Sequence, residues 1–269
     1  MACVYYLTFQ VGGQLVFMDV EAFKELFNLE ESYWWFVGRR KIAFTLLEKH
    51  VRKSPFNLVL DAGCGTGLNA TVLKERVGPT IGLDISDKAI GLARLRGVDS
   101  LVRASIEALP FKDGSFHLVS SFGVIYHQDV VDFRRAVGEF NRVCKNGGFV
   151  LITTPAFRFL RSRHDILQKS SRRLTRAELR EAVSGEGFKI EKLSYWTFFM
   201  FPPVLAERVF LNLFDRVKGG EIPPESDLKK IPKILNKILV KIMGLEARLL
   251  EKLDFPFGVS LLCLGRKSA

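Results

Sequence analysis

Three glycines that follow an acidic residue have the types and spacing of a nucleotide-binding loop. The segment Leu58–Gly67 is an apolar run that ends at Asp61 and continues through Gly63, Gly65 and Gly67. Glycine allows positive φ and lets a ligand lie against bare main chain. The helix that would follow offers free N–H groups to an anionic group at its N-terminus. The sequence therefore predicts a strand, a tight loop and a helix that together hold a nucleotide-like ligand.

The spacing of the glycines argues against two common ligands. The dinucleotide fingerprint G-x-G-x-x-G would need glycine at position 68, where the chain has Leu68. A phosphate-binding P-loop needs a lysine directly after its glycines, and this loop has none. A second apolar run, Thr80–Asp84, ends in an acid 17 residues after Gly67. An acid at the end of the second strand is placed to accept hydrogen bonds from ribose hydroxyls.

The pattern D-x-G-x-G-x-G over Asp61–Gly67 resembles the cofactor loop of class I methyltransferases that use S-adenosyl-L-methionine. Two further segments support the resemblance. Ala108–Phe116 is similar to that family's link into its fourth strand, and Arg142–Phe149 is similar to the link into its fifth. The resemblance is strong over residues 58–153 and looser on both sides. It implies S-adenosyl-L-methionine as cofactor and methyl transfer as the reaction.

The resemblance also implies where the cofactor would lie. The methionine end would rest on the glycine loop, where we interpret Cys64 as a small spacer, and the ribose on Asp84. The adenine edge would be read at Ser105 and Ile106, where the family often has Asp followed by a small residue. Ser105 could instead serve only as a helix cap. The implied cofactor contacts are Asp61, Gly63, Cys64, Gly65, Gly67, Asp84, Ile85, Ser105, Ile106 and Phe122.

Strands and helices alternate after residue 57, which predicts an α/β fold with a doubly wound, mostly parallel sheet. By resemblance it is a seven-stranded, Rossmann-like methyltransferase sheet. We expect strands near 58–61, 80–84, 100–103, 117–121, 148–153, 188–195 and 258–265, and helices near 66–76, 87–95, 129–144 and 175–184. The expected division is an N-terminal helical cap at 18–57, a core at 58–196, a helical lid inserted at 197–257 and the last strand at 258–269.

Residues 1–17 differ in character from the rest. They are apolar, but they lack the basic start and the small-residue cleavage site of a signal peptide. An acidic, helix-like segment begins at Met18. We expect Met18 to be the true start, with residues 1–17 an upstream mistranslation that is poorly structured.

The cysteines and the hydropathy of the chain exclude several classes of protein. The four cysteines are scattered without a C-x-x-C pair, which argues against zinc and against a disulfide framework. We therefore expect no metal and a reducing, cytoplasmic location. No stretch of 18 apolar residues is free of charge, so we expect no membrane-spanning helix.

Positive charge is concentrated in the C-terminal half of the chain. The net charge is +11, and residues 155–269 hold 22 Lys and Arg against 13 Asp and Glu. In the predicted helix Leu228–Leu253, four lysines recur every four residues on one face, opposite a row of isoleucine and leucine. A basic amphipathic helix of this kind can lie on an anionic membrane surface. The alternative is a helix packed on the core with its lysines in water.

Three segments hold the candidate residues for catalysis and acceptor binding. His127 follows the fourth strand and is the first candidate general base, or else it only shapes its loop. Clustered aromatics with paired arginines in Tyr33–Arg40 could cover a cofactor and hold a carboxylate or phosphate, or could pack the N-terminal helix on the sheet. A basic block at 158–180 has eight Lys and Arg against two acids. The candidates are His127, His164 and Asp165 for catalysis, and Trp34, Arg39, Arg40, Arg172 and Arg173 for substrate binding.

These segments together are similar to a methyltransferase subgroup associated with envelope sugars or lipids, and the closing Pro256–Ser260 strengthens the similarity. That subgroup commonly has a histidine before the arginine pair, where this chain has Ser171. The similarity implies a small, sugar-linked or lipid-linked acceptor with negative charge, and peripheral contact with an anionic membrane. Two alternatives stay open. The charge would suit an RNA methyltransferase, although no separate RNA-binding module is visible, and the departures at Ser105 and Ser171 would suit a non-catalytic cofactor-binding protein.

Overall fold

The structure is a computed structural model that describes residues 8–11, 14–17, 27–51, 56–218, 226–228 and 231–268. Near the N-terminus, β1 (Thr8–Val11) and β2 (Gln14–Phe17) pair as an antiparallel hairpin. This differs from the poorly structured segment that we expected over residues 1–17. The helix-like segment expected from Met18 begins outside the described residues.

The main sheet has seven strands in the order β5-β4-β3-β6-β7-β9-β8. The first five strands in this order are parallel, and β9 lies antiparallel between β7 and β8. The predicted doubly wound, mostly parallel sheet is therefore confirmed. The strands are β3 (Val59–Ala62), β4 (Thr80–Asp84), β5 (Leu101–Arg103), β6 (Phe116–Phe122), β7 (Cys144–Pro155), β8 (Phe188–Trp196) and β9 (Ser260–Lys267).

The helices fall close to their predicted positions. The first α-helix after residue 57 begins at Leu68, directly after the glycine loop, and the one predicted at 129–144 begins at Phe133 because Asp132 caps it. A short helical stretch at 27–32 precedes the first long helix. The helices are α1 (Trp34–Val51), α2 (Leu68–Arg76), α3 (Asp87–Leu95), α4 (Phe133–Val143), α5 (Arg163–Leu167), α6 (Arg176–Gly185), α7 (Phe201–Lys218) and α8 (Lys233–Leu250).

The order of the strands fixes the place of a ligand. The chain builds outward from β3 through β4 to β5 and then returns to β6 on the other side of β3. All four residues of β3 are buried because parallel strands are covered on both faces. In such sheets a ligand lies beyond the carboxyl ends of the strands, at the point where the order reverses. That point is the end of β3, next to the ends of β4 and β6.

The N-terminal cap and the inserted lid pack against each other. Helices α1 and α8 run side by side in the same direction, with Trp34 opposite Asn236 and Gly38 opposite Met243. A Cβ at Gly38 would come within 2.7 Å of Met243 Cγ, so glycine is needed for this close approach. The Asn236 side chain also accepts from the Trp34 N–H at 2.8 Å, which caps the start of α1.

A buried glutamate ties α8 to the sheet. Glu246 accepts hydrogen bonds from the backbone N–H groups of Thr197 and Phe198, directly after β8, the second at 3.0 Å. Burial raises the pKa of Glu246, and these backbone donors oppose the rise. Among the described residues, no helix is both long enough and apolar enough to cross a bilayer.

Candidate active site

The glycine loop is held in a fixed shape by the neighbouring strand. The N–H groups of Gly63 and Cys64 both donate to the Leu83 carbonyl, at 2.7 and 2.8 Å. Gly63, Gly65 and Gly67 have φ of 82°, 55° and 86°. The prediction that this loop requires positive φ is confirmed, because L-residues rarely adopt these angles.

The space around each glycine shows which part of the loop is open to a ligand. A Cβ at Gly63 would lie 2.3 Å from Val124 Cγ2, and a Cβ at Gly67 would lie 2.8 Å from Ala93 Cα. A Cβ at Gly65 would meet nothing within 4 Å. The loop is thus packed against the protein at its two ends and open at its middle. Since Gly67 gives α2 no side-chain cap, the first-turn N–H groups of α2 are available to a ligand.

Asp84 lies at the end of β4, beside the loop. Its Oδ2 accepts from the Gly65 N–H at 2.9 Å, and its Oδ1 accepts from the Ser86 N–H at 2.9 Å. An ionised carboxylate has about four acceptor positions, so each oxygen keeps capacity for a further donor such as a ribose hydroxyl. Ile85, the next residue, is half exposed. The chemistry of this corner fits the ribose contact expected for Asp84.

The segment expected to read adenine follows β5. Ser105 Oγ accepts from the Glu107 N–H at 3.2 Å, so the hydroxyl closes a turn and can still act as acceptor and donor toward a ligand. Ile106 is buried in the core. Phe122 is buried at the carboxyl end of β6, across the reversal point of the sheet. The residues after Ser105 form a turn and no helix begins there, so Ser105 is not a helix cap, and the adenine contact stays a prediction.

Asp61 is a buried carboxyl group with one oxygen unused. Its Oδ1 accepts from Ser120 Oγ at 3.0 Å, whereas Oδ2 is buried without a hydrogen-bond partner. Burial raises the pKa of Asp61 to about 7, and the Ser120 hydrogen bond and the charge of Arg39 oppose this rise. Buried polar atoms are nearly always paired, so an unpaired acceptor beside the loop indicates a place for a ligand donor.

Arg39 is buried at the same end of the sheet. Its guanidinium lies over the rings of Trp35, Phe36 and Phe122, at 4.8, 5.6 and 5.7 Å from their centroids. Nη1 donates to the Phe122 carbonyl at 3.4 Å, and Nε is buried without a partner. Burial lowers the pKa of Arg39, and the charges of Glu30, Tyr126 and Asp61 raise it. Arg39 is thus a buried cation in an aromatic cage, with a donor left over.

His127 lies on the loop after β6, on the ligand edge. Its Nδ1 is 3.3 Å from Asp129 Oδ2, and the side chain is about one-third exposed. Burial lowers the pKa of His127, while Asp129 and, more weakly, Asp84 raise it. The His127 N–H donates to the Val124 carbonyl, and the Val124 side chain packs over Gly63 of the glycine loop. The structure therefore brings the predicted general base to the same edge as the glycine loop.

Asp165 and Arg173 form a buried, two-pronged ion pair. Arg173 Nε and Nη2 donate to the two carboxylate oxygens of Asp165 at 2.9 and 3.0 Å, and Arg173 Nη1 donates to the Ala156 carbonyl. Asp165 also caps α5 by accepting from the Ser162 N–H. This is the geometry of a structural ion pair. The catalytic role of Asp165 and the substrate-binding role of Arg173 stay predictions.

The remaining candidates are engaged with the protein's own groups. His164 Nδ1 accepts from the Asp227 N–H at 3.1 Å. Arg172 Nη2 donates to the Val130 carbonyl at 2.8 Å, and Arg40 Nη2 donates to the Glu30 carbonyl at 2.7 Å. The backbone N–H of Trp34 donates to the Asn236 side chain of α8. Of the five predicted acceptor-binding residues, the structure places Arg39 against Phe122 at the end of β6.

Sequence reasoning missed several residues at this edge. The Thr66 hydroxyl, inside the glycine loop, donates to Glu30, and Glu30 also pairs with Arg96 at 3.6 Å. The hydroxyls of Ser121, Thr153 and Thr154 are buried without partners near the ends of β6 and β7. No spacing in the sequence signals these groups, because the fold brings them together from distant segments.

The residues at the ligand edge fit S-adenosyl-L-methionine. The open glycine main chain and the uncapped start of α2 suit its methionine end, and the spare acceptors of Asp84 suit its ribose. The unpaired Asp61 Oδ2 supplies an acceptor for a charged donor. Within the described residues, no group of three or more His, Cys, Asp or Glu is arranged to hold a metal ion.

Comparisons with known proteins agree with this fit. Residues 60–152 match the family model described as a methyltransferase domain. A probable S-adenosylmethionine-dependent methyltransferase of Mycolicibacterium smegmatis is 32% identical over 165 residues, which are 60% of this chain and 62% of that protein. A probable tRNA methyltransferase 9B of Mus musculus is 37% identical over 101 residues, 37% of this chain and 22% of that protein. The chain thus spans less than two thirds of the length of these relatives.

A solved structure shows the same fold over most of the chain. A methyltransferase of Thermotoga maritima, described as a possible histamine N-methyltransferase, matches with a TM-score of 0.54 at 21% identity and covers 92% of this chain and 99% of its own. The family model falls on the glycine loop and the strands around it, which is the part of the molecule that forms the ligand edge. Residues 60–152 of the chain therefore form a methyltransferase domain of the class I type, whose cofactor is S-adenosyl-L-methionine.

Proposed function

We propose that this chain transfers the methyl group of S-adenosyl-L-methionine to a small anionic acceptor, either free or carried on a sugar or lipid. The observation that supports this acceptor class is Arg39. It is a buried guanidinium with an unpaired Nε, and it lies at the carboxyl end of β6, next to the glycine-loop edge. A buried donor without a partner is costly, so a carboxylate or phosphate from a ligand would complete the site.

The aromatic cage around Arg39 favours a small or partly apolar acceptor. Trp35 and Phe36 from α1 and Phe122 from β6 surround the guanidinium, and Trp35 also packs on Trp196 at 5.6 Å between ring centroids. Aromatic side chains around a cation keep water away from it, which strengthens its attraction to an anion. We propose that the enzyme is cytoplasmic and works near a membrane surface.

The chain's own contribution to the chemistry is position and proton handling. The cofactor supplies an electrophilic methyl group on a sulfonium. Arg39 would hold the acceptor's anionic group and align the acceptor, and the aromatic side chains would keep water out. A hydroxyl acceptor would give its proton to His127 Nε2, whereas a carboxylate needs no base. Nδ1 of His127 lies 3.3 Å from both the backbone nitrogen and Oδ2 of Asp129, which fixes the ring. A proton on Nδ1 that points at the carboxylate would leave Nε2 as the nitrogen that accepts the acceptor's proton.

Transfer of labelled methyl groups tests the proposal. The protein would be incubated with methyl-labelled cofactor and, separately, with small carboxylates and phosphates, a lipid extract, and total RNA. We expect label in the small-molecule or lipid pool. Label found only in RNA would overturn the acceptor class. Failure of calorimetry to detect binding of S-adenosyl-L-methionine or of its demethylated product would overturn the function as a whole.

We expect Arg39→Gln to reduce methyl transfer by at least about a hundredfold with little change in cofactor affinity, because charge-assisted hydrogen bonds to a bound anion are lost. Arg40→Gln is the control, since Arg40 binds the Glu30 carbonyl. Calorimetry for cofactor binding and label transfer for activity separate the two effects. A loss of cofactor affinity in Arg39→Gln would instead assign the guanidinium to the cofactor's carboxylate.

His127 predicts a definite pH dependence if the acceptor is a hydroxyl. Burial lowers its pKa below the ordinary value of 6.5, so the neutral, basic form persists to lower pH than for an exposed histidine. The rate should therefore be flat through neutral pH and fall only in acid, below that value. His127→Asn should lower the rate about a hundredfold or more and remove the acid limb. A pH–rate profile that keeps the limb in the variant would exclude His127 as base.

RNA methylation is the second candidate, because of the basic excess and the match to a probable tRNA methyltransferase. That match covers 22% of the relative. It therefore gives no information on how the rest of the relative binds its acceptor. An RNA complex should weaken steeply as salt is added. The third candidate is a cofactor-binding protein without catalysis, and turnover with any acceptor would exclude it.

A further inference from the structure

The outward face of α8 is only partly packed against the protein. The sequence left open whether the apolar row opposite the lysines packs on the core or faces a membrane. In the structure, α8 buries Met243, Ala247 and Leu250 from its C-terminal half. The N-terminal half leaves Ile234, 76% exposed, and Ile238, 48% exposed, in solvent. The cause is the position of α1, which lies along the other side of α8.

Lysines flank this exposed apolar row. Ile234 and Ile238 are four residues apart and share one face of the helix. Lys237 and Lys241, which are exposed, follow them at a spacing of three and form the adjacent row. The single acidic residue of α8, Glu246, is buried and bonded to the backbone after β8. The outward face of α8 is therefore apolar and basic without a compensating negative charge.

Exposed apolar side chains are concentrated in the insertion as a whole. Of the fifteen large hydrophobic residues that are exposed in the described chain, ten lie between residues 197 and 257. Helix α7 adds its own row of Val209, Phe210 and Leu213. These side chains are exposed, so they do not serve the core of the sheet. Exposed apolar side chains that are concentrated in one segment mark a place of contact with a partner or a membrane.

We infer that the outward face of α8 docks onto an anionic lipid bilayer, with Ile234 and Ile238 inserted at the boundary of the headgroups. The positive charge of the face favours an anionic occupant over a neutral or basic one, and the exposed isoleucines favour an occupant with an apolar interior. Lysines beside an apolar row attract anionic headgroups while their stems lie along the acyl boundary, which is the pattern of interfacial helices. The inference is independent of the proposed acceptor, because it concerns where the protein lies and not what it methylates.

Sedimentation with lipid vesicles tests the inference on the full chain. We expect binding to vesicles of mixed phosphatidylglycerol and phosphatidylcholine, weakening as salt is added, and little binding to phosphatidylcholine alone. Lys237→Gln with Lys241→Gln should weaken binding roughly thirtyfold, since each basic residue near an anionic surface adds about a factor of five. Ile234→Ser with Ile238→Ser should weaken it at least about tenfold through lost apolar burial.

Matched controls come from the surface of the chain outside the insertion. Leu95 is 80% exposed and Ile234 is 76% exposed, so Leu95→Ser removes an apolar group of comparable exposure. Lys112→Gln removes an exposed lysine. Both should bind vesicles as the parent chain does. Failure of the parent chain to bind anionic vesicles, or equal binding by the α8 variants, would overturn the inference. A dimer that dissociates on Ile234→Ser with Ile238→Ser, without vesicle binding, would assign the face to a second copy of the chain.

Discussion

Replacing Gly63 with alanine is expected to abolish measurable binding of S-adenosyl-L-methionine. The new Cβ would overlap the Val124 side chain, with 2.3 Å to Cγ2 and 2.7 Å to Cγ1. Valine has a stiff χ1, so it cannot rotate away without strain. The loop must shift instead, and the two hydrogen bonds that hold it to the Leu83 carbonyl would be distorted. We expect cofactor affinity to fall by at least about a hundredfold, since the ligand-facing main chain moves.

Gly97 provides a matched control for this substitution. Its φ of 81° is almost the same as the 82° of Gly63. Replacement by alanine should therefore cost the same backbone strain, about 1–2 kcal/mol, at both positions. A Cβ at Gly97 meets nothing within 4 Å, and Gly97 follows α3 outside the glycine loop. Gly97→Ala should therefore lower the melting temperature slightly and leave cofactor binding unchanged.

Calorimetric titration with the cofactor and thermal unfolding separate the two effects. Loss of binding in Gly63→Ala at a temperature where the variant is still folded would confirm that the loop's shape is required. If Gly63→Ala bound the cofactor as tightly as Gly97→Ala does, the loop would not be the binding surface.

The glycine loop could be predicted because its chemistry is local. A short stretch of sequence contains both the glycines that need positive φ and the acid at the end of the next strand. The parallel sheet follows from the alternation of strands and helices. The aromatic cage of Arg39 could not be predicted, because Phe122 comes from a strand 83 residues further along the chain. Only the fold brings it to α1.

The insertion shows a second limit of local reasoning. The periodicity of α8 correctly indicates a helix, and it also identifies two rows of residues. Periodicity does not say which row meets the protein, because that depends on where α1 lies. Two features set the packed face. Gly38 has no side chain and so lets Met243 approach closely, and the buried Glu246 bonds to the backbone after β8. Neither has the repeating pattern that a sequence scan detects.

The same limit applies to Asp165, for which sequence and structure suggest different roles. A His-Asp pair before two arginines resembles catalytic machinery, yet the carboxylate accepts from Arg173 at two atoms and from the Ser162 backbone. Asp165 is 3% exposed. Arg173 and Ser162 hold the pKa of this carboxyl below its usual value despite burial. A group held ionised and fully bonded is a poor proton acceptor at neutral pH.

Replacing Asp165 with asparagine is therefore expected to destabilise the protein by about 3–5 kcal/mol, because it leaves the Arg173 charge buried without its partner. For a chain of this size that corresponds to a fall of roughly 10 °C in melting temperature. Asp99→Asn is the control, since the Lys74–Asp99 pair is exposed and should contribute about 1 kcal/mol or less. The double change Asp165→Asn with Arg173→Met removes the unpaired charge and should recover most of the loss.

The pH dependence of stability follows from the same pair and gives an independent check. Because the pKa of Asp165 is lowered on folding, its stabilisation is present above the unfolded value of 3.8 and is lost as the pH falls through the lower folded value. The stability difference between parent chain and Asp165→Asn should thus be full at neutral pH and shrink in strong acid. An unchanged melting temperature in Asp165→Asn together with loss of methyl transfer would instead make Asp165 catalytic. Recovery of stability by the double variant would show that the loss in Asp165→Asn comes from the unpaired Arg173 charge and not from a catalytic role of Asp165.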